Sequence, residues 1–497
     1  MPSSFFPSAA NLPPPLLTPA GVDVTCERAV MLRMRDGVEL AMDIYRPVAA
    51  ANGEALSLPV LLQRTPYDKT RNMRESAEFF ARHGYIVVIQ DCRGRFKSGG
   101  KFTKYVSEAE DGYDTIEALA RLRGADGQVG MFGGSYLAHT QAAAAQLNPP
   151  HLATMVLTVG GLSNAWTHSV RNHGAFALKQ LTWAFAEVAR DVRDPVSAAA
   201  LKRETLEDWF QLLPWERGQN PLSCSPEFED YLFELMTHGN YDDFWKRPGL
   251  NWSEHYAQTA DVPMIHVSGW YDAYCGSALE NQIGLAGRGK GPVRLLMGPW
   301  EHGTIDRSWA GEVDFGSDAV IADYYRGWHL RWFDHFLKGA DNGIASEPPV
   351  RVFVMGTGDG CRDPAGRLRH GGYWRTAECW PLPDTRFERY YLHANGRLST
   401  AIPAADEASI TYTFDPEHPV PTIGGSMAAS QPLWMGGPFD QRERPFAGDP
   451  ARGFYGSRPP FPPLKGAPLR AMCAVKGLHT SRSTRVQAPI ARSGVCR

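Results

Sequence analysis

The stretch Gly130-Met-Phe-Gly-Gly-Ser135-Tyr-Leu137 joins an apolar run to a helix-forming run through two glycines and a serine. So sharp a strand-to-helix turn puts the serine into strained backbone angles and lifts its hydroxyl clear of the sheet. Gly133 and Gly134 have no Cβ atom to obstruct the turn. The stretch therefore predicts a serine nucleophile, although Leu137 stands where the full pattern has a second small residue.

Short apolar runs recur between residues 58 and 300, and helical patterns separate most of them. Strands that alternate with helices predict an α/β fold with a mainly parallel sheet covered on both faces. The predicted strands are Pro59–Gln63, Tyr85–Gln90, Gln128–Phe132, Met155–Val159, Val262–Val267 and Val293–Met297. Polar residues follow the ends of these strands, where ligands bind in open α/β sheets. We therefore expect the site at this edge.

A serine hydroxyl needs a base to take its proton, and the base needs a carboxylate to orient it. Two stretches that follow predicted strands could supply them, Ser268-Gly-Trp-Tyr-Asp272 and Gly298-Pro-Trp-Glu-His302. A lone histidine carries little information in a chain that has fifteen of them. His302 is preferred because chain order, strand-end position and the flanking glycines agree. The sequence thus predicts that Ser135, His302 and Asp272 act together.

Seven motifs in one order resemble the cocaine-esterase-like (CocE/NonD) hydrolases, which are relatives of the X-prolyl dipeptidyl peptidases and the α-amino acid ester hydrolases. The motifs are Asp43-Ile-Tyr-Arg-Pro47, Thr65-Pro-Tyr-Asp-Lys69, Gln90-Asp-Cys-Arg-Gly-Arg95, Gly130-Met-Phe-Gly-Gly-Ser135-Tyr, Gly269-Trp-Tyr-Asp272, Gly298-Pro-Trp-Glu-His302 and Gly436-Gly-Pro-Phe-Asp-Gln441. The resemblance covers about residues 25–441, and the motifs themselves lie between Asp43 and Gln441. The resemblance implies an α/β-hydrolase core with a Ser135–His302–Asp272 triad, an inserted helical cap and a C-terminal β-sandwich of the jelly-roll type.

The predicted segments combine this resemblance with changes in sequence character along the chain. They are a loose leader at 1–24, the catalytic core at 25–161 and 257–347, the cap at 162–256, the jelly-roll-like β module at 348–441 and a tail at 442–497. The tail carries eleven Lys and Arg against two acidic residues, together with eight prolines. Such a composition predicts disorder. We expect the β module to be incomplete, through truncation or a shifted reading frame near Arg444.

The resemblance also implies an oxyanion hole made by the hydroxyl of Tyr67 and the backbone N–H of Tyr136. Two fixed donors there would stabilise the charge on a tetrahedral intermediate. Without the resemblance, Tyr67 is interpreted as a packed aromatic residue of a loop. Trp270 and Trp300 are expected to line the acyl pocket.

Composition narrows the functional classes. The net charge of −3 favours neither nucleic acid nor an anionic membrane as a partner, and no apolar run approaches the ~20 residues that cross a bilayer. Scattered cysteines without a paired framework predict a reduced, cytoplasmic protein. No metal-ligand spacing or Gly-rich phosphate loop occurs, so the expected mechanism needs no cofactor and no metal. The resemblance leaves a homodimer open.

The sequence thus predicts a serine hydrolase that cleaves an ester or amide of a small molecule through an acyl-enzyme. A carboxylesterase is preferred, because no carboxylate that would bind a substrate's amino terminus can be identified. X-prolyl dipeptidyl peptidase, α-amino acid ester hydrolase and acylase activities stay open. A non-catalytic binding scaffold with a hydrolase-like core is the alternative from another class.

Overall fold

The computed structural model describes residues 22–48, 57–71, 73–192, 195–210, 212, 215–289, 291–411, 413, 423–428 and 436–440. The strands are β1 (Val24–Arg33), β2 (Glu39–Pro47), β3 (Leu58–Thr65), β4 (Ile86–Asp91), β5 (Ala125–Gly134), β6 (Leu152–Thr158), β7 (Arg171–Asn172), β8 (Ala175–Phe176), β9 (Met264–Gly269), β10 (Val293–Gly298), β11 (Trp309–Ala310), β12 (Val313–Asp314), β13 (Val350–Met355), β14 (Leu368–Arg369), β15 (Gly372–Ala377), β16 (Tyr391–Leu392) and β17 (Leu398–Ser399). The α-helices are α1 (Arg74–Arg82), α2 (Glu108–Leu119), α3 (Tyr136–Ala145), α4 (Lys179–Asp191), α5 (Pro195–Leu201), α6 (Leu206–Phe210), α7 (Pro226–Thr237), α8 (Cys275–Leu285) and α9 (His329–Lys338).

Ten strands form the main sheet in the order β1-β2-β4-β3-β5-β6-β9-β10-β13-β15. The strands from β4 to β13 in this order run parallel, and β1, β2 and β15 add antiparallel edges. All six strands predicted between residues 58 and 300 lie in the parallel part. The predicted α/β fold is therefore confirmed.

Helices cover both faces of the sheet, and the strands read as continuous apolar runs because they are buried on both sides. The side chains of strand β4 divide between two core clusters, one on each face of the sheet. Val87 and Ile89 pack in one core cluster with side chains of α1 and α9, whereas Ile86 and Val88 pack in a second cluster with side chains of α2 and α3. Alternate side chains of a strand point to opposite faces, so each face has its own core.

The region between β6 and β9, where a helical cap is predicted, contains the hairpin β7–β8 and helices α4 to α7. Its aromatic side chains pack on a loop of the core. The ring of Phe102 stacks on Trp183 and on Phe228, with centroid separations of 6.2 and 5.3 Å. Helix α4 thereby lies next to the loops at the carboxyl ends of the strands.

The chain divides into two compact units, Met1–Pro383 with Thr422–Glu443, and Asp384–Pro421 with Arg444–Arg497. Val350–Met355, which the sequence assigned to a separate β module, is strand β13 and pairs in parallel with β10. An apolar run cannot by itself tell a strand that extends one sheet from a strand that starts another.

The second unit contains the antiparallel pair β16–β17 within its described residues. This pair consists of Tyr391–Leu392 and Leu398–Ser399, and the described residues 409–411 and 413 are not in a strand. A jelly roll at 348–441 stays a prediction. Residues 1–21 of the predicted leader and the whole tail 442–497, including Arg444, lie outside the described residues.

Across the described part of the chain, no helix is both long enough and apolar enough to span a bilayer.

Candidate active site

Ser135 lies at the junction of β5 and α3 with φ of 59° and ψ of −121°. These angles are strained for a residue with a Cβ atom, and such strain is typical of a nucleophile elbow. The glycines around the turn make it sterically feasible. A Cβ on Gly133 would lie 2.5 Å from the Cβ of Leu137, and a Cβ on Gly160 would lie 2.4 Å from the carbonyl oxygen of Ser135. Gly160 follows β6 and was missed from the sequence, because only the fold brings it beneath the elbow.

The loops after β9 and β10 are packed against each other, since these strands are parallel neighbours that end at Gly269 and Gly298. Trp270 N–H donates to the carbonyl of Gly298 at 2.9 Å, which fixes one loop on the other. A Cβ on Gly269 would lie 2.1 Å from the carbonyl oxygen of Trp300. The close approach of the two loops therefore requires a glycine at position 269.

This packing brings His302 between Ser135 and Asp272. Nε2 of His302 lies 2.9 Å from Oγ of Ser135, and Nδ1 lies 2.8 Å from Oδ1 of Asp272. Asp272 is fully buried, and its Oδ2 accepts a 2.7 Å hydrogen bond from the hydroxyl of Ser268. The structure thus joins the three residues that the sequence analysis placed together. Such an arrangement can move a proton from a serine hydroxyl to an imidazole.

The two residues expected to form an oxyanion hole lie beside the serine. The hydroxyl of Tyr67, in the loop after β3, accepts a hydrogen bond from the indole N–H of Trp183 at 3.2 Å. Burial raises the pKa of Tyr67 to about 12, against smaller opposite effects of hydrogen bonds with Trp183 and Ser135. Its hydroxyl therefore keeps the proton that a donor needs. Tyr136 is the first residue of α3, a position whose N–H has no partner within the helix.

The loop that carries Tyr67 is held by a buried arginine of another family motif. Arg95 donates from Nε to the carbonyl of Pro66 at 2.9 Å and from Nη2 to Glu187 of helix α4 at 3.0 Å. Its Nη1 lies 3.2 Å from Asp191, at the end of the same helix. Arg95 thus ties α4 to the Tyr67 loop.

Above Ser135 and His302 is a cavity of about 440 Å³, also lined by Tyr67 and Tyr136. Side chains that the sequence analysis did not assign to the site also line it, among them Lys104, Lys179, Trp183, Arg190, Tyr274 and Arg307. They come from the region between β6 and β9 and from loops distant in sequence, and no motif marks them. Within the described residues, no group of three or more His, Cys, Asp and Glu side chains could hold a metal ion.

The two tryptophans expected in the pocket point away from it. Trp300 is 1% exposed and donates from its indole N–H to the carbonyl of Ala319 at 2.9 Å. Trp270 donates to the carbonyl of Phe353 at 2.8 Å and packs against Trp380 with ring centroids 6.1 Å apart. Neither side chain lines the cavity. The structure therefore does not bring either residue to this cavity, because available carbonyl acceptors and packing partners decide where an indole ring in a loop is directed.

A mainly parallel sheet with a strained serine at one strand end, and a histidine and a buried aspartate at two others, is characteristic of the α/β-hydrolase class of enzymes. The chain belongs to the S15 family: residues 36–304 match the X-Pro dipeptidyl-peptidase (S15 family) domain, and residues 342–444 match the X-Pro dipeptidyl-peptidase C-terminal non-catalytic domain. The resemblance carried by the seven motifs is confirmed, and the chain is a serine hydrolase.

Among its relatives, the cocaine esterase of Rhodococcus sp. (strain MB1 Bresler) is 32% identical over 438 residues, which cover 83% of this chain and 71% of that protein. A solved α-amino acid ester hydrolase is 26% identical with a TM-score of 0.58, covering 84% of this chain and 70% of the other. A solved aminopeptidase from the marine sediment archaeon Thaumarchaeota archaeon is 25% identical with a TM-score of 0.58, and the match covers 85% of this chain and 68% of the aminopeptidase chain. The chain thus resembles enzymes named for ester substrates and one named as a peptidase.

Proposed function

We propose that this protein is a carboxylesterase that works through an acyl-enzyme on Ser135. The observation that carries the proposal is the continuous contact from Ser135 Oγ through His302 to the buried Asp272, at 2.9 and 2.8 Å. Ester hydrolysis is also the activity named for the relative with 32% identity.

In the first half of the proposed reaction, Ser135 Oγ forms a bond to the ester carbonyl carbon while Nε2 of His302 takes the hydroxyl proton. The negative charge then lies on the former carbonyl oxygen, where the Tyr67 hydroxyl and the Tyr136 N–H would donate to it. Asp272 keeps Nδ1 of His302 protonated and stabilises the imidazolium.

Collapse of this intermediate breaks the bond to the leaving alcohol, which receives the proton from His302. A water molecule then repeats the sequence on the acyl-enzyme: His302 takes a proton from the water, the acid is released, and the Ser135 hydroxyl is restored.

The carboxylates of the cavity favour an ester without an amino terminus over a peptide or α-amino acid ester. An amine would need a free carboxylate partner, and the lining offers Glu187 and Glu301. Glu187 is paired with Arg95 and Arg190. Oε1 of Glu301 accepts the N–H of Gly311 at 2.7 Å. Glu187 is therefore already paired and Glu301 is engaged at one oxygen, so peptidase and amino acid ester hydrolase activities are second candidates.

A fluorophosphonate probe tests the proposal, because it reacts with an activated serine. We expect the wild-type protein to be labelled and the variants Ser135→Ala and His302→Ala to be unlabelled, with circular dichroism showing that all are folded. His255→Ala is the matched control, since His255 is half-buried, contacts the carbonyl of Lys246 and does not line the cavity. A folded wild-type protein without labelling would contradict the proposal and favour the binding scaffold.

A panel of neutral 4-nitrophenyl esters, X-Pro dipeptide anilides and α-amino acid esters then separates the three activities. The esterase proposal predicts that neutral esters have the highest kcat/KM. Subunit pairing and a cytoplasmic location remain predictions from the sequence.

A further inference from the structure

Two lysine side chains enter the cavity that holds Ser135. Lys104 is 3% exposed, donates from Nζ to Oε1 of Gln180 at 2.8 Å, and has Nζ 3.5 Å from the ring centroid of Trp183. Lys179, the first residue of α4, has a buried Nζ without a hydrogen-bond partner. Its nearest described aromatic contact is the ring of Tyr274, at 4.4 Å.

A single aromatic ring lies between each amino group and a residue of the proposed mechanism. The Tyr274 ring, which the Lys179 ammonium faces, lies 5.5 Å from the His302 ring. The Trp183 ring, which Lys104 faces, stacks on Tyr136 at 5.9 Å. A substrate in contact with Ser135 is therefore within the cavity that these amino groups line.

The acidic side chains of the cavity do not neutralise Lys179. Glu187 is paired with Arg95 and Arg190, and among the described residues no hydrogen bond joins Glu301 to the Lys179 amino group. The buried Asp272 attracts the Lys179 ammonium from a distance, but both of its oxygens already have partners. A buried ammonium without a partner is unfavourable, and an anionic ligand would supply the missing partner.

We propose that the cavity selects anionic esters, an inference that rests on the proposed esterase function. The carboxylate of such an ester would pair with the ammonium of Lys179, and Lys104 would donate a further hydrogen bond to it. Burial lowers the pKa of Lys179 to about 8, and the attraction of Asp272 opposes this effect. The side chain is therefore charged at neutral pH. Burial and the neighbouring Lys179 also lower the pKa of Lys104 well below its usual value.

The test compares esters that differ in charge and match in shape. On the acyl side, the monoanionic 4-nitrophenyl esters of succinic, glutaric and adipic acid are compared with neutral 4-nitrophenyl esters of similar shape. These are, in the same order, 4-nitrophenyl 4-methylpentanoate, 5-methylhexanoate and 6-methylheptanoate. On the alcohol side, 4-carboxyphenyl butyrate is paired with 4-carbamoylphenyl butyrate. Rates are corrected for spontaneous hydrolysis, and the ratio of kcat/KM values within each pair is the readout.

We expect at least one anionic ester to have a higher kcat/KM than its neutral partner. The pair that shows this preference indicates whether the carboxylate belongs on the acyl part or on the alcohol part of the substrate. Lys179→Met should lower this ratio by about tenfold or more, as expected for loss of a buried charge partner, and Lys179→Arg should retain most of it. Lys246→Met is the control, because Lys246 is an exposed residue of the same cap region that pairs with Asp243. An absent preference in every pair, or one that survives in Lys179→Met, would overturn the proposal.

Binding to a variant that cannot turn over substrate separates this inference from the esterase function. Isothermal titration of Ser135→Ala with the preferred anionic ester, or with the glutarate ester if the wild-type protein is inactive, measures the anion site directly. We expect Lys179→Met in this background to weaken binding by about tenfold. Equal binding would refute the anion site, whereas this weakening beside an inactive wild-type enzyme would refute only the esterase function.

Discussion

Ser268 donates a 2.7 Å hydrogen bond to Oδ2 of Asp272, the carboxylate oxygen that His302 does not contact. Oδ1 of the same carboxylate lies 2.8 Å from Nδ1 of His302. Because Asp272 is fully buried, these two contacts fix the carboxylate in one orientation. The fixed carboxylate favours the tautomer of His302 that leaves Nε2 free to accept the proton of Ser135.

The first prediction concerns this hydrogen bond. Ser268→Ala should lower kcat about tenfold with KM nearly unchanged, because a hydrogen bond to a charged group is typically worth about 1.5 to 3 kcal/mol and its loss loosens the carboxylate. Steady-state kinetics with a 4-nitrophenyl ester measures the effect. Ser346→Ala, which removes an exposed hydroxyl bonded to the carbonyl of Gly343, is the control. Equal kcat values in the two variants would show that Ser268 does not position Asp272.

The second prediction concerns the tyrosine of the expected oxyanion hole. Tyr67→Phe keeps the ring, removes only the hydroxyl, and should lower kcat/KM by about 100-fold to 1,000-fold, the usual loss for one oxyanion donor. Fluorophosphonate labelling should slow as well. Tyr373→Phe, at a position that is 59% exposed, is the control. A change of less than about threefold in Tyr67→Phe would mean that the hydroxyl does not contact the developing charge.

The third prediction concerns the glycine beneath the elbow. In Gly160→Ala, the new Cβ would lie 2.4 Å from the carbonyl oxygen of Ser135 and 2.8 Å from the Cβ of Ala138. The elbow must shift, so we expect kcat to fall more than tenfold and the free energy of unfolding to fall by about 1 to 3 kcal/mol, as for other overpacked sites. Gly239→Ala, where a Cβ would meet no atom within 4 Å, should change neither quantity appreciably. Urea unfolding followed by fluorescence, together with kcat, checks both variants.

The residues that sequence reasoning found are those fixed by local backbone chemistry. Ser135, Asp272 and His302 each follow a parallel strand, and parallel strands bring their carboxyl ends to one edge of a sheet. Glycines indicate the turns. The order of the serine, the aspartate and the histidine along the chain indicates which residue is the nucleophile, which is the orienting carboxylate and which is the base. The core sheet was predictable for the same reason, since helical patterns separate most of the apolar strand runs between residues 58 and 300.

The residues that sequence reasoning missed depend on packing between distant segments. A tryptophan in a loop contains no signal for the direction of its ring, so Trp300 was assigned to the pocket although its N–H bonds to Ala319 in the core. Lys104 and Lys179 look like solvated residues in the sequence. Only the packing of helix α4 on the strand-end loops buries their amino groups in the cavity.

The fourth prediction is the pH dependence of the preference for anionic esters. Lys179 has a pKa of about 8, lowered mainly by burial and partly restored by Asp272. The Lys104 amino group, the carboxylates of Glu187 and Glu301 and the guanidinium groups of Arg190 and Arg307 face the same cavity, and the Tyr274 ring is in contact with the Lys179 ammonium. Because the folded-state pKa lies below the usual lysine value, the charge that attracts the substrate is present below pH 8 and is lost above it.

The ratio of kcat/KM for the anionic ester to that for its neutral partner should therefore be constant below about pH 7 and fall as the pH rises through about 8. Catalytic steps that are common to both esters cancel in the ratio. In Lys179→Arg the ratio should stay constant up to pH 9.5, because a guanidinium keeps its charge there. Profiles measured from pH 6 to 9.5 at constant ionic strength decide the matter, and a ratio that falls equally in both proteins would assign the titration to a group other than Lys179.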